Sequence, residues 1–135
     1  MAKNLNHSTL GIHYVVEASG CDPEIIGSVE RVQDILIEAA EKTRSQIWNV
    51  SFHRFPPSGV SGVVVISESH LSVHTWPEVG YAAIDIYTCG NTEPLNAVMY
   101  ILEKFKAKSS HITEIERGLD DGDNLYYHSI TTWEE

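Results

Sequence analysis

The run GIHYVVEA, Gly11 to Ala18, is rich in β-branched and aromatic residues and ends in SGCDP, which predicts a strand entering a turn. Asp22 then reads as a helix cap and Pro23 as a first helical position. Ile25, Ile26, Val29, Val32, Ile35, Leu36, Ala39 and Ala40 recur at helical spacing and predict one amphipathic helix with a single apolar face. SQIWNVSFHRF, Ser45 to Phe55, predicts the next strand, and PPSG closes it as the strongest turn signal in the chain. VSGVVVI, HLSVHTW and YAAIDIYTC predict three more strands. Thr92 caps a second predicted helix, with Pro94 in its first turn and a buried stripe of Leu95, Val98, Met99, Leu102 and Phe105. SHITEIER predicts a last strand, and the periodicity of the tail LDDGDNLYYHSITTWEE is too weak to assign an element.

The order β, α, β, β, β, β, α, β runs four strands together without a helix, which argues against a doubly wound sheet. It predicts an α+β fold: a two-layer α/β sandwich, mainly antiparallel, with two helices on one face of the sheet. In YAAIDIYTC, Ala82, Ile84 and Ile86 alternate with Tyr81, Asp85, Tyr87 and Cys89, so the first set belongs against the helices. The second set forms a half-polar face that needs cover, and a partner subunit is the natural source of it. The folded domain is expected over residues 1–118, with residues 119–135 as an acidic C-terminal extension.

Composition narrows the chemistry. At 135 residues and 42% hydrophobic content the chain fits one domain. Its 19 acidic against 9 basic side chains, a formal charge of -10, disfavour nucleic acid and favour a small cationic substrate. The start MAKNLNHSTLG carries no apolar signal core, and no span of about 18–20 apolar residues follows, so neither export nor a membrane is expected. With only Cys21 and Cys89 present, the expectation is a cytoplasmic protein with free thiols.

Chemistry-bearing residues gather in GVVVISESHLSVHTWPE, Gly62 to Glu78. His53, Glu68, His70, His74 and Cys89 are ligand types, yet His70 and His74 on a strand stand about 13 Å apart, so no metal is expected. Neither a GxGxxG turn nor a P-loop is present, and no lysine between Phe52 and Gly90 offers a Schiff base to pyridoxal phosphate. A decarboxylase built here needs another electron sink. The hydroxyl of Ser69 has one route: attack on the Glu68 carbonyl gives an ester, and β-elimination then leaves dehydroalanine, which hydrolyses to a pyruvoyl group. That route needs a donor for the oxyanion and a base for the α-proton of residue 69, and Ser61 and His74 are available nearby in sequence. Chemistry alone does not select it from the many Ser–His arrangements in proteins.

The segment SFHRFPPSGVSGVVVISESHLSVHTWPEVGYAAIDIYTCG, Ser51 to Gly90, resembles the bacterial and archaeal class of S-adenosylmethionine decarboxylases. The likeness joins SFH.F, GVSGVVVI, ESHLS.HTWPE.GYAA.D and TCG at matching spacings. It implies a self-cleaving proenzyme split between Glu68 and Ser69 into two chains, with Ser69 becoming the pyruvoyl cofactor. It further implies His74 as the processing base, Ser61 as its helper in processing and Cys89 as the proton donor in turnover. The family fold dimerises sheet to sheet, which matches the uncovered face. In the implied reaction the amine of S-adenosylmethionine joins the pyruvoyl carbonyl as a Schiff base, carbon dioxide leaves, and Cys89 returns a proton to Cα. Phe55 and Trp76 are the aromatic candidates to flank adenine and sulfonium, and Glu78 to balance charge or hold ribose hydroxyls.

Strict alternation from Ser69 to Trp76 puts Ser69 and His74 on opposite faces, so a tight turn or bulge is expected between Ser67 and Leu71. The chain departs from the family in Gly11-Ile12-His13, where a basic residue commonly follows the glycine, and in its longer acidic tail. A pyruvoyl arginine or ornithine decarboxylase and an uncleaved, non-catalytic partner subunit remain open beside the main reading.

Overall fold

The computed structural model describes residues 9–89, 93–119 and 125–135. In chain order the elements are β1 (Gly11–Ser19), α1 (Pro23–Ile26), α2 (Val29–Lys42), β2 (Ile47–Phe55), β3 (Gly59–Ile66), β4 (Ser69–Trp76), a 3-10 turn at Pro77–Val79, β5 (Tyr81–Cys89), α3 (Pro94–Lys104), β6 (Ser109–Leu119) and β7 (Tyr126–Glu134). The strands form one sheet in the order β2-β3-β4-β5-β1-β6-β7 with every pairing antiparallel. The α+β sandwich expected from the pattern is the observed fold.

The helices lie on one face, α2 over β2 and β3 and α3 over β1 and β5. Alternation decides which side chains meet them. Ala82, Ile84 and Ile86 of β5, Leu71 and Val73 of β4, Val60, Val64 and Ile66 of β3 and Val16 and Ala18 of β1 are buried there, with Val32, Leu36, Ala39, Ile101 and Phe105 from the helices. Burial of a side chain as large as Phe105 contributes about 1.5–3 kcal/mol, so this layer anchors the sheet to the helices.

Two expectations need correction, and one unassigned stretch gains an element. The single helix over Ile25 to Ala40 is two, because Gly27 closes α1 with its N–H on the carbonyls of Pro23 and Ile25 and Ser28 caps α2 by accepting from the N–H of Arg31. The stripe of α3 is rotated: Ala97, Val98, Ile101 and Leu102 are buried, with Phe105 just beyond the helix, while Leu95 and Met99 are exposed. The set beginning at Pro94 has the same helical period and faces the sheet. The unassigned tail forms β7, which pairs along β6 from His111↔Glu134 to Leu119↔Tyr126 and seats Trp133 edge-on to Tyr14 at 6.2 Å. Thr92, the expected cap of α3, and the DDGDN stretch lie outside the described residues.

Phe52 and Gly62 are register partners across β2 and β3, and a Cβ at residue 62 would meet the Phe52 ring at 2.0 Å. Glycine there leaves room for the ring, a structural reason for two residues of the SFH and GVSG motifs.

Candidate active site

Ser61, His74, Trp76 and Cys89 lie on the sheet face opposite the helices, Ser69 shares the alternation of Leu71 and Val73 at the start of β4, and the residues of interest fall into two clusters at opposite ends of β4. The first surrounds the Glu68–Ser69 peptide. A two-residue turn, Ser67–Glu68, joins β3 to β4, with Ile66 paired to Ser69. Glu68 sits at φ 60 in the left-handed region, which costs a side-chain-bearing residue about 1–3 kcal/mol. The expected turn is therefore present, and its strained residue carries the carbonyl that Ser69 would attack.

Cross-strand pairing brings Cys89 of β5 to this turn. Its backbone N–H donates to the Ser69 Oγ at 3.1 Å, fixing the hydroxyl oxygen beside the scissile peptide. Its Sγ lies 3.7 Å from the Glu68 carbonyl oxygen and 3.5 Å from the Tyr87 Oη. Among the described residues the thiol is placed to donate to that carbonyl.

Behind this cluster His13 Nε2 lies 3.0 Å from Asp85 Oδ1, and the Ser72 hydroxyl donates to the other carboxylate oxygen at 3.5 Å. The hydrogen bond from His13 holds the Asp85 carboxyl below its usual range against the opposing pull of burial. Burial, with the nearby His13, pushes the His70 imidazole down, so that it favours its neutral form. A cavity of about 610 Å³ opens alongside, lined in part by Thr9, His13, Tyr87, Arg117 and His128.

The second cluster is built on register. Ser61 of β3 and His74 of β4 are paired partners, and the Ser61 Oγ lies 2.9 Å from the His74 Nδ1. Thr75 between His74 and Trp76 is buried on the other side, donating to the carbonyl of Ile26 at 2.7 Å and accepting from the N–H of Val60 at 2.9 Å. That anchor fixes its neighbours outward. Phe55 meets Trp76 edge-on at 6.3 Å, Trp76 stacks on Tyr81 at 5.2 Å, and His74 lies 6.4 Å from Trp76. A hydrogen bond to Glu17 pushes the Tyr81 phenol up to about 12. Glu78 is exposed on the Pro77–Val79 turn that follows. His53 of β2 pairs with Ser61 in register and bonds the Ser51 hydroxyl at 3.0 Å.

Of the residues singled out in the sequence, the structure joins Glu68, Ser69 and Cys89 in one place and Ser61, His74, Phe55 and Trp76 in another. Ser69 and His74 are five positions apart on β4, about 16 Å along a strand, so the base and the bond it would serve do not meet within one chain. Among the described residues no group of three or more His, Cys, Asp or Glu is arranged to hold a metal ion. Sequence reasoning gave no role to Tyr81, Tyr87 or Arg117. The signal for Tyr87 was available, because a residue two before Cys89 on a strand shares its face.

A profile of the family described as S-adenosylmethionine decarboxylase matches residues 12–118. The chain is 56% identical over 128 residues to an S-adenosylmethionine decarboxylase proenzyme of Thermococcus gammatolerans, covering 94% of this chain and 90% of the relative. It is 53% identical over 111 residues to the proenzyme of that name from Moorella thermoacetica, covering 82% and 89%. The crystal structure of the adenosylmethionine decarboxylase from Aquifex aeolicus superposes with a TM-score of 0.78 at 32% identity, over 87% of this chain and 98% of that one.

Proposed function

The chain belongs to the S-adenosylmethionine decarboxylase family, and from that premise we propose that it is a self-processing, pyruvoyl-dependent enzyme. It converts S-adenosylmethionine to its decarboxylated form and carbon dioxide, for polyamine synthesis. The observation that carries this reading is the junction of Ser69, Glu68 and Cys89: a serine hydroxyl held beside a strained peptide with a thiol against the same carbonyl. Those residues fit a pyruvoyl group made from Ser69.

Processing draws on the protein's own residues and water. Ser69 Oγ attacks the Glu68 carbonyl carbon, its proton passes to the departing amide nitrogen, and an ester replaces the peptide. Thiol donation from Cys89 supports the oxyanion. Removal of the α-proton of residue 69 by His74 then expels the Glu68 carboxylate, and water converts the remaining enamine to a keto group with loss of ammonia. The pyruvoyl carbonyl supplies an electron sink for the pair that carbon dioxide leaves behind. Cys89, against residue 69, delivers a proton to the substrate's Cα. Phe55 and Trp76 offer aromatic faces to adenine and the sulfonium, and the exposed carboxylate of Glu78 suits a cationic ligand.

The distance between the two clusters sets the assembly. A two-fold axis lying between stacked sheets and running across their strands lays the Ser69 end of one sheet over the His74 end of the other, twice. The site is then composite: Glu68, Ser69 and Cys89 from one chain, Ser61, His74, Phe55, Trp76 and Glu78 from the second. This homodimer of cleaved protomers covers the half-polar face. We assign the decarboxylase proper to residues 1–118, in keeping with the matched segment, and 119–135 to an extension whose strand β7 widens the sheet. We propose a cytoplasmic location, in keeping with the free thiols of Cys21 and Cys89.

Purified protein is expected to release labelled carbon dioxide from carboxyl-labelled S-adenosylmethionine. Release from arginine or ornithine instead would keep the pyruvoyl chemistry and overturn the substrate.

A further inference from the structure

We propose that Tyr87 is a positioning residue whose hydroxyl aims the Cys89 thiol at the carbon to be protonated. The inference rests on the reading of Cys89 as proton donor. Tyr87 and Cys89 share a face of β5 two residues apart, and the phenol spans that gap to put its Oη 3.5 Å from the sulfur. The ring itself has little freedom. His13 and His70 pack against it with centroids at 5.8 and 6.0 Å, and the Arg117 guanidinium lies 4.9 Å above its face. Burial, then the hydrogen bond with Cys89, pushes the phenol up, which keeps it protonated at neutral pH.

Cys89 has one side-chain torsion to place its sulfur, so one hydrogen bond to the hydroxyl of a fixed ring is enough to choose its rotamer. Among the described residues the sulfur of the unprocessed chain hydrogen-bonds the Tyr87 hydroxyl and the Glu68 carbonyl. Cleavage turns Glu68 into a chain end that is free to withdraw. The Tyr87 contact then remains, so the hydroxyl matters for turnover and little for processing. A misplaced thiol leaves the carbanion to take its proton on residue 69. Hydrolysis there exchanges the substrate nitrogen for the keto oxygen: residue 69 becomes alanine with a free amine, and the substrate departs as an aldehyde and carbon dioxide.

The test is Tyr87→Phe, which keeps the ring, beside Cys89→Ala and the unaltered protein, all full length. Tyr87→Phe is expected to mature within about twofold of the normal rate and to complete about five- to tenfold fewer turnovers before inactivation, the scale of one lost hydrogen bond. Edman degradation should find alanine at residue 69 in the inactivated variant. In processed protein without substrate, iodoacetamide should alkylate the freed Cys89 about threefold faster. If Cys89→Ala gains alanine at residue 69 and Tyr87→Phe matches the unaltered protein in both alanine and alkylation, the positioning role is wrong while the proton donor stands. If Cys89→Ala itself inactivates no faster than normal, the donor assignment falls and takes the Tyr87 role with it.

Discussion

Chains carrying Ser69→Ala and chains carrying His74→Ala are expected to fail to mature when expressed separately, and co-expression is expected to restore cleavage to the His74→Ala chains. The reasoning is geometric. His74 stands about 16 Å along β4 from Ser69, while it bonds Ser61 at 2.9 Å and Ser69 bonds Cys89 at 3.1 Å. A mixed dimer therefore holds one complete site, Ser69 and Cys89 from the His74→Ala chain under Ser61 and His74 from the Ser69→Ala chain, and one site lacking both. Random assortment makes about half of the dimers mixed, so about half of the His74→Ala chains should carry a pyruvoyl end. Mass spectrometry of the co-purified protein reads this directly. No pyruvoyl-bearing chain in the mixture would place base and serine in one protomer and remove the composite site. Separately, the His74→Ala chain stalls as an ester and is split at Glu68–Ser69 by hydroxylamine.

Cys89→Ala separates the two halves of the chemistry. The variant keeps the backbone N–H that fixes the Ser69 hydroxyl and loses the thiol, so it should still mature, with some slowing from the lost contact to the Glu68 carbonyl. Its turnover is expected to fall about 100-fold, the lower end of what a positioned proton donor supplies. Steady-state release of labelled carbon dioxide from fully processed protein measures this. Normal turnover in a processed Cys89→Ala protein would assign the proton to another group.

Much of the fold could be read because alternation is strict where one face is covered. Tyr81 to Cys89 separates cleanly, since Ala82, Ile84 and Ile86 pack on helices and Tyr81, Asp85 and Tyr87 do not. In β7 the signal fails for the same reason. It is an edge strand with Tyr126, Tyr127 and Ile130 all exposed, so neither face is marked by burial. The break between α1 and α2 sat in a Gly27-Ser28 pair that preserves the helical spacing on both sides, so periodicity ran straight through it. The rotated stripe of α3 reflects two apolar sets of equal period, between which the sheet decides.

The site was legible in part. Motif residues picked out Ser69, His74 and Cys89, and alternation showed that Ser69 and His74 conflict. A tight turn or bulge between Ser67 and Leu71 was expected to resolve the conflict, and the structure has a turn at Ser67–Glu68. It has Glu68 at φ 60, but it turns the scissile peptide toward Cys89 and leaves His74 at the far end of the strand. Strand order across β4 and β5, which local sequence does not encode, made the difference.

The central claim, that this chain cuts itself at Glu68–Ser69 to make its cofactor, meets its most direct test in the intact mass of freshly expressed protein. Two fragments are predicted, Met1 to Glu68 and a second from a pyruvoyl group at position 69 to Glu135, the second resistant to Edman degradation because it has no free amine. A single uncleaved mass after long incubation, with a reactive N-terminus and nothing trapped by borohydride in the presence of an amine, would contradict it and leave a non-catalytic partner subunit.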